Sequence, residues 1–158
     1  MLMKKSQMLN ALRQSNAVAR EAMEIGRHPF GAVLIGPDGD EVLMRQGNLG
    51  TVRHAETELA RAAAEKYDEA FLWNCTLATN FEPCAMCAGT IYWANIGRIV
   101  YGVSEARLLE LTGAHEENPT LDLPCRDLVK SGQKSIEVFG PFEEVEAEVL
   151  QLHTDFWA

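Results

Sequence analysis

Two cysteines, Cys84 and Cys87, directly follow Pro83 at a predicted helix start. Proline is best tolerated in the first turn of a helix, so both cysteines are predicted to lie in that turn, three residues apart and on one face. The partial positive charge of a helix N-terminus lowers the pKa of a thiol and favours the thiolate that binds metal ions. The spacing therefore predicts that Cys84 and Cys87 bind one metal ion together.

His54 and Glu56 form a second candidate group upstream of the cysteines. His54 offers a nitrogen ligand, so that one Zn2+ ion per chain would have three protein ligands and one open position, as catalytic zinc sites do. Glu56 is the candidate general base, which would take a proton from water and later return it. Residues two apart do not share a helix face, so His54 must lie at the very start of its helix if both side chains are to reach one site.

The order His-x-Glu followed by Pro-Cys-x-x-Cys is a signature of zinc deaminases of nucleobases. The sequence resembles the cytidine deaminase superfamily, in the branch that holds guanine deaminase, fungal-type cytosine deaminase and tRNA adenosine deaminase. The resemblance runs along most of the chain and is carried by residues 29–32, Asn48 and residues 54–56, 82–89 and 91–94. This ordered set is far more specific than an isolated Cys-x-x-Cys.

The resemblance implies a hydrolytic zinc deaminase that releases ammonia from a free nucleobase or a related amino-heterocycle, of the guanine, cytosine or isocytosine type. It implies that the backbone amide of Ala55 holds a carbonyl of the substrate. It also suggests that Phe30 is an aromatic wall, that Asn48 is a substrate-binding amide, and that Phe156 and Trp157 close the site. Trp93 is a weaker candidate for a substrate contact, with core packing as the alternative. The last helix and tail, residues 143–158, are expected to cap a site in the same subunit or in a partner subunit.

The sequence departs from its relatives in one loop, and it leaves the position of a second catalytic carboxylate unassigned. The loop from Asn48 to His54 is several residues shorter than in the relatives and lacks their Asp-Pro-Thr before the zinc-binding histidine. Some relatives use a second carboxylate, and the sequence does not single out one of the glutamates of residues 105–117 for that role.

Charge and length limit the classes of partner. The 158 residues carry a formal net charge of -9, with an isoelectric point near 4.9. Nucleic-acid binding depends mainly on a surplus of lysine and arginine, so a small neutral base is favoured over a nucleic acid. No apolar run approaches the roughly 20 residues of a membrane helix, and the N-terminus lacks the apolar core of a signal peptide. We expect a cytoplasmic protein without membrane contact, and the resemblance implies a homodimer.

Hydrophobic periodicity and turn residues predict helices that alternate with strands. Helices are expected at residues 7–25, 54–66, 84–95, 105–111 and 143–152. Strands are expected at residues 30–35, 41–45, 72–79, 98–103 and 135–139, with a long loop at 113–125. This order predicts one α/β domain over residues 1–158, a three-layer α/β/α sandwich with an initial hairpin and mostly parallel strands after it. The resemblance implies that its sheet is mixed and five-stranded.

Three other functions remain open at this point. A tRNA adenosine deaminase would need a basic surface that the composition does not indicate. In a non-catalytic zinc module, His115 or Cys125 would supply a fourth ligand, although Cys125 is otherwise expected to be a surface thiol in a proline-containing loop. A thioredoxin-like redox protein would use the Cys-x-x-Cys alone and would give no reason for His54 and Glu56.

Overall fold

A computed structural model describes residues 3–113, 115–154 and 156–157. Its five-stranded mixed sheet has the strand order β2-β1-β3-β4-β5, in which β1 is antiparallel to both β2 and β3, whereas β3, β4 and β5 run parallel. The strands are β1 Gly31–Ile35, β2 Val42–Gly47, β3 Thr76–Phe81, β4 Arg98–Val103 and β5 Glu137–Phe139. The helices are α1 Lys5–Glu24, α2 Ala55–Lys66, α3 Glu69–Trp73, α4 Ala85–Ala94, α5 Glu105–Thr112, α6 Cys125–Lys130 and α7 Glu143–Thr154.

Helices cover both faces of the sheet, which confirms the predicted three-layer α/β/α sandwich. Successive residues of a strand point to opposite faces. In β1, Leu34 therefore packs with Ile91 on the side of α2 and α4, while Val33 packs with Leu12 on the side of α1. Both faces of the central strands are buried, so these strands read as continuous apolar runs in the sequence.

The segment before β3 differs from its predicted structure. Residues 72–79 were expected to form one strand, but Leu72 and Trp73 end helix α3 and the strand begins at Thr76. Asp68 caps this helix, since its Oδ1 accepts the N–H of Phe71 at 2.8 Å. An apolar run of this length has no clear period, so the N-cap at Asp68 favours a short helix that the periodicity does not show.

The predicted loop at 113–125 is wrong at its end, because helix α6 begins at Cys125. The backbone N–H of Cys125 donates to Oε2 of Glu82 at 2.7 Å, across 43 positions of the chain. A helix of six residues has little stability of its own and depends on such tertiary contacts. Cys125 is fully buried rather than a surface thiol.

The topology brings several helix N-termini to one edge of the sheet. Because β3 and β4 are parallel, α4 and α5 start at the same edge, where open α/β sheets bind ligands. Helix α2 packs against α4 and adds its own N-terminus there. In the described part of the chain, no helix is both long and apolar enough to cross a membrane.

Candidate active site

Three predicted metal ligands meet where helices α2 and α4 begin. His54 is the N-cap of α2 and Cys84 is the N-cap of α4, so His54 lies at the helix start that the spacing required. Nδ1 of His54 is 3.6 Å from Sγ of Cys84 and 3.4 Å from Sγ of Cys87, and the two sulfurs are 3.6 Å apart. Tetrahedral zinc with its usual bond lengths requires about 3.8 Å between two sulfurs and about 3.6 Å between sulfur and nitrogen. The three atoms therefore fit one zinc ion.

The electrostatics of the thiols also fit a divalent cation. The hydrogen bond between the two thiols lowers the pKa of Cys84 to about 4, and the same contact, together with burial, raises the pKa of Cys87. Without a cation the two sulfurs share a single negative charge, because a second thiolate so close to the first would be repelled. A bound divalent ion offsets this repulsion and allows both cysteines to be thiolates. The hydroxyl of Thr57 donates to Sγ of Cys87 at 3.1 Å, and the ring of His54 is hydrogen-bonded to the backbone of Thr51. Such outer contacts orient metal ligands.

No fourth protein ligand joins this group among the described residues. His54, Cys84 and Cys87 are the one cluster of histidine, cysteine and carboxylate side chains there whose ligand atoms lie within 4.8 Å of one another. His115 instead packs on Trp157 and accepts the N–H of Glu117. Cys125 starts helix α6. The site therefore has the open position of a catalytic zinc centre rather than the closed set of a structural one.

Glu56 lies beside the metal ligands in a largely dry environment. Its side chain is buried, and Oε1 accepts the hydroxyl of Thr79 at 2.8 Å. Burial raises the pKa of Glu56, against the opposing effects of His54 and Thr79. A raised pKa brings the carboxyl closer to the range in which one group can both take and return a proton near neutrality. The sequence did not identify Thr79, whose only signal is a polar residue in an apolar strand.

A cleft of about 280 Å³ opens above these residues and contains two predicted substrate-binding side chains. Phe30 lines it and meets Phe81 in an edge-to-face arrangement with ring centroids 5.7 Å apart. Asn48 also lines it, and its Oδ1 is buried without a hydrogen-bond partner among the described residues. Buried polar atoms are normally paired, so this oxygen indicates a ligand that supplies an N–H. Ala55 begins α2, where backbone N–H groups have no partner within the helix.

The C-terminal tail packs behind the cleft wall rather than lining the cleft. The rings of Phe156 and Trp157 contact His28, with centroid separations of 5.5 Å and 4.8 Å. Nε1 of Trp157 donates to Nδ1 of His153 at 2.9 Å, and His153 is hydrogen-bonded to the carbonyl of Pro29, next to Phe30. The tail thus supports the wall of its own cleft, and the remaining tail positions 155 and 158 lie outside the described residues.

The structure places Trp93 outside the residues that line this cleft. Its side chain is 77% exposed, and it lies with Tyr92 and Lys134 on the surface beside helix α4. Trp93 follows Cys84 by nine residues, or two and a half helical turns, so it projects from the opposite side of α4.

Glu105 was one of four glutamates that the sequence could not rank, and the structure separates them. Glu105 and Glu117 line the cleft, whereas Glu110 forms an ion pair with Arg107 on the surface. Glu105 is buried, and Glu117 is largely exposed beside His28. No local signal could have found Glu105, because its position depends on the packing of α5 against the loop before α6.

Comparison with known proteins agrees with this geometry. Residues 5–103 match the family model of the cytidine and deoxycytidylate deaminase zinc-binding region. The chain is 36% identical to a Schizosaccharomyces pombe protein named "Probable cytosine deaminase" over 150 residues, which cover 92% of this chain and 90% of that one. It is 35% identical to the tRNA-specific adenosine deaminase of Haemophilus influenzae over 143 residues, which cover 81% and 80% of the two chains.

A solved structure of guanine deaminase from Nitrosomonas europaea shares the fold. It superposes with a TM-score of 0.72 over 98% of this chain and 86% of that one, at 19% identity. The family match spans more than half of the chain and includes His54, Glu56, Cys84 and Cys87. The chain therefore belongs to the zinc-binding cytidine and deoxycytidylate deaminase family and is a zinc-dependent hydrolytic deaminase.

Proposed function

We propose that this enzyme deaminates a free nucleobase that carries both an amino and an oxo group, of the cytosine, isocytosine or guanine type. The observation that carries the proposal is the charge of the cleft. Among the described residues that line it, four are glutamates (Glu56, Glu82, Glu105 and Glu117) and none is lysine or arginine. A nucleotide phosphate would find no lysine or arginine partner there, and the exposed carboxylate of Glu117 would repel it.

The size of the cleft supports the same substrate class. Its 280 Å³ lies just below the range of about 300–1,000 Å³ that is common for drug-sized ligands. A single heterocyclic ring or a fused pair matches this space better than a nucleotide. Phe30 offers a flat aromatic surface for such a ring, and Oδ1 of Asn48 accepts a ring or amino N–H.

The proton transfers are assigned to Glu56. Bound zinc with three protein ligands lowers the pKa of water and so supplies a nucleophile near neutral pH. The carboxyl of Glu56 accepts one proton from the water as its oxygen bonds to the carbon that bears the amine, and it passes this proton to the ring nitrogen. It then takes the second proton of the same oxygen and gives it to the amine, so that the carbon–nitrogen bond breaks, the oxo group forms and ammonia leaves. The hydroxyl of Thr79 holds Oε1 of Glu56 in place during these transfers. The free N–H of Ala55 holds an oxygen of the substrate.

A substrate screen tests the proposal. The zinc-loaded enzyme is incubated with cytosine, isocytosine, guanine, adenine, cytidine and deoxycytidylate, and ammonia release is measured. We expect release from at least one of the three amino-oxo bases and none from deoxycytidylate. Glu56→Ala, checked for one bound zinc per chain, is the inactive control. Turnover of deoxycytidylate in preference to every free base would refute the proposal.

The second candidate is tRNA adenosine deamination, favoured by the similarity to the Haemophilus influenzae protein. The net charge of -9 and the acidic cleft argue against it. Salt-sensitive binding of tRNA, with formation of inosine, would establish it over deamination of free bases.

We also propose that the enzyme is a cytoplasmic homodimer. The exposed ring of Trp93 and the partly exposed Met86 lie on the same side of α4, two turns apart, and a second copy of the chain would bury them. Free thiol ligands such as Cys84 and Cys87 persist in a reducing compartment. Light scattering should give twice the chain mass of 17.5 kDa, and Trp93→Lys should shift the enzyme toward the monomer.

A further inference from the structure

Glu105 is the first residue of α5, directly after the carboxyl end of β4. Its backbone N–H donates to Oε1 of Glu82 at 3.0 Å, which fixes the start of the helix. Its side chain lines the cleft and is only 4% exposed. A carboxyl is rarely buried to this degree without partners for both of its oxygens.

The two oxygens of Glu105 differ in their surroundings. Oε1 accepts the backbone N–H of Leu123 at 3.3 Å. Oε2 has no hydrogen-bond partner among the described residues. The neighbouring Glu82 differs from Glu105, because both of its carboxyl oxygens accept a backbone N–H, one from Glu105 and one from Cys125. Glu82 thereby links the end of β3 to the starts of α5 and α6. Glu105 therefore keeps one oxygen available to a molecule in the cleft.

We propose that Glu105 is a substrate-binding residue whose Oε2 donates a hydrogen bond to a carbonyl oxygen or an unprotonated ring nitrogen of the base. The proposal rests on the proposed function and adds a specificity-determining contact to it. Asn48 supplies an acceptor in the same cleft, so the two side chains together select a ligand with neighbouring donor and acceptor groups. Bases that carry both an amino and an oxo group present this pattern.

The protonation of Glu105 supports its role as a donor. Burial raises the pKa of Glu105 to about 8. The hydrogen bond from the N–H of Leu123 lowers this pKa, and the nearby negative groups of Cys84, Glu82 and Asp122 raise it further. At neutral pH the carboxyl is therefore mainly protonated. Because Oε1 receives the N–H of Leu123, the proton lies on Oε2.

Equilibrium binding as a function of pH tests the proposal. The zinc-loaded Glu56→Ala protein is titrated calorimetrically with cytosine, isocytosine and guanine at pH 7 and pH 9, with and without Glu105→Gln. Glutamine keeps an acceptor for Leu123 and a donor for the ligand but does not ionise. We expect similar affinity of the two proteins at pH 7. At pH 9 Glu105 has lost its proton to a greater extent than at pH 7, so the Kd of the parent should rise at least threefold while that of Glu105→Gln stays within twofold.

Two further variants separate ligand binding from a structural effect. Glu105→Leu removes the donor and should weaken binding at least tenfold at both pH values, with one zinc per chain and a native circular dichroism spectrum. If this variant does not fold, the pH comparison with Glu105→Gln still decides. Glu117→Gln is the matched control, because Glu117 lines the same cleft with a largely exposed side chain and should leave the pH dependence of Kd unchanged.

Other outcomes overturn the inference. Equal pH dependence in the parent and in Glu105→Gln would refute the role of Glu105, and so would a Glu105→Leu protein that binds within threefold of the parent. Absence of binding of all three bases to the parent would contradict the recognition pattern. Failure of the proposed function would be recognised by a different result, namely that the wild-type enzyme releases no ammonia from these bases.

Discussion

The buried His153 should make the stability of the protein depend on acid. Its ring is completely buried and lies behind Phe30 and Phe81. Nε2 is 2.7 Å from the carbonyl of Pro29, to which it must donate, and Nδ1 accepts the indole N–H of Trp157. Both ring nitrogens of the neutral form are thus paired, and a second proton on Nδ1 would face a donor. Burial lowers the pKa of His153 to about 4, against an ordinary value of 6.5.

The sign and size of the effect follow from linkage. Because the folded-state pKa lies below the unfolded one, the unfolded chain binds the proton more readily as the pH falls from above 6.5 toward 4. The contribution of His153 to the free energy of unfolding is therefore complete above pH 6.5 and is lost on acidification through this window. Two and a half pKa units correspond to about 3 kcal/mol well below pH 4, and about 2 kcal/mol of this should be lost between pH 7 and pH 5.

The perturbation is His153→Gln, which offers an amide donor and acceptor but does not titrate. Urea denaturation of both proteins at pH 7 and pH 5, with saturating zinc, gives four free energies of unfolding. Contributions of other titrating groups, such as Glu56 and Glu105, cancel when the two pH differences are subtracted. The wild type should lose about 2 kcal/mol more than His153→Gln. If the two proteins lose the same free energy within about 0.5 kcal/mol, the assignment of a neutral, doubly hydrogen-bonded His153 is refuted.

Four further predictions concern the active site. Glu56→Gln should lower kcat by about 10²–10⁴-fold with the zinc content unchanged, and loss of zinc in this variant would contradict a purely catalytic role. Thr79→Val removes a hydrogen bond to a carboxyl that is worth about 1.5–3 kcal/mol, so kcat should fall by about one to two decades while KM changes little. Asn48→Ala should act mainly on KM, and an unchanged KM would exclude Asn48 from substrate binding. Removal of zinc by a chelator should lower the midpoint of thermal unfolding and abolish activity, and both should return with added zinc.

Local patterns were sufficient for the metal site and for most of the secondary structure. Pro83 marks a helix start and directly precedes Cys84, the N-cap of α4, so the placement of Cys84 and Cys87 at one end of the helix follows from three residues of sequence. The predicted strand at 98–103 agrees with β4, because a short continuous run of apolar residues is typical of a buried strand. Sequence patterns did not predict the short helices α3 and α6. Helix α3 depends on the side-chain cap of Asp68, and α6 depends on a tertiary hydrogen bond to Glu82.

By itself, the sequence determined the chemistry: an imidazole, two thiols and a carboxyl, at spacings that favour one catalytic zinc ion. Only the tertiary structure decided what surrounds that chemistry. Thr79 reaches Glu56 across 23 positions, and Glu105 is held at the cleft by Leu123 across 18. In the same way, only the fold placed Trp93 on the exposed side of α4 and Trp157 behind Phe30. These contacts join residues that are distant in the chain, and they form only when the parallel strands β3 and β4 bring their carboxyl ends together.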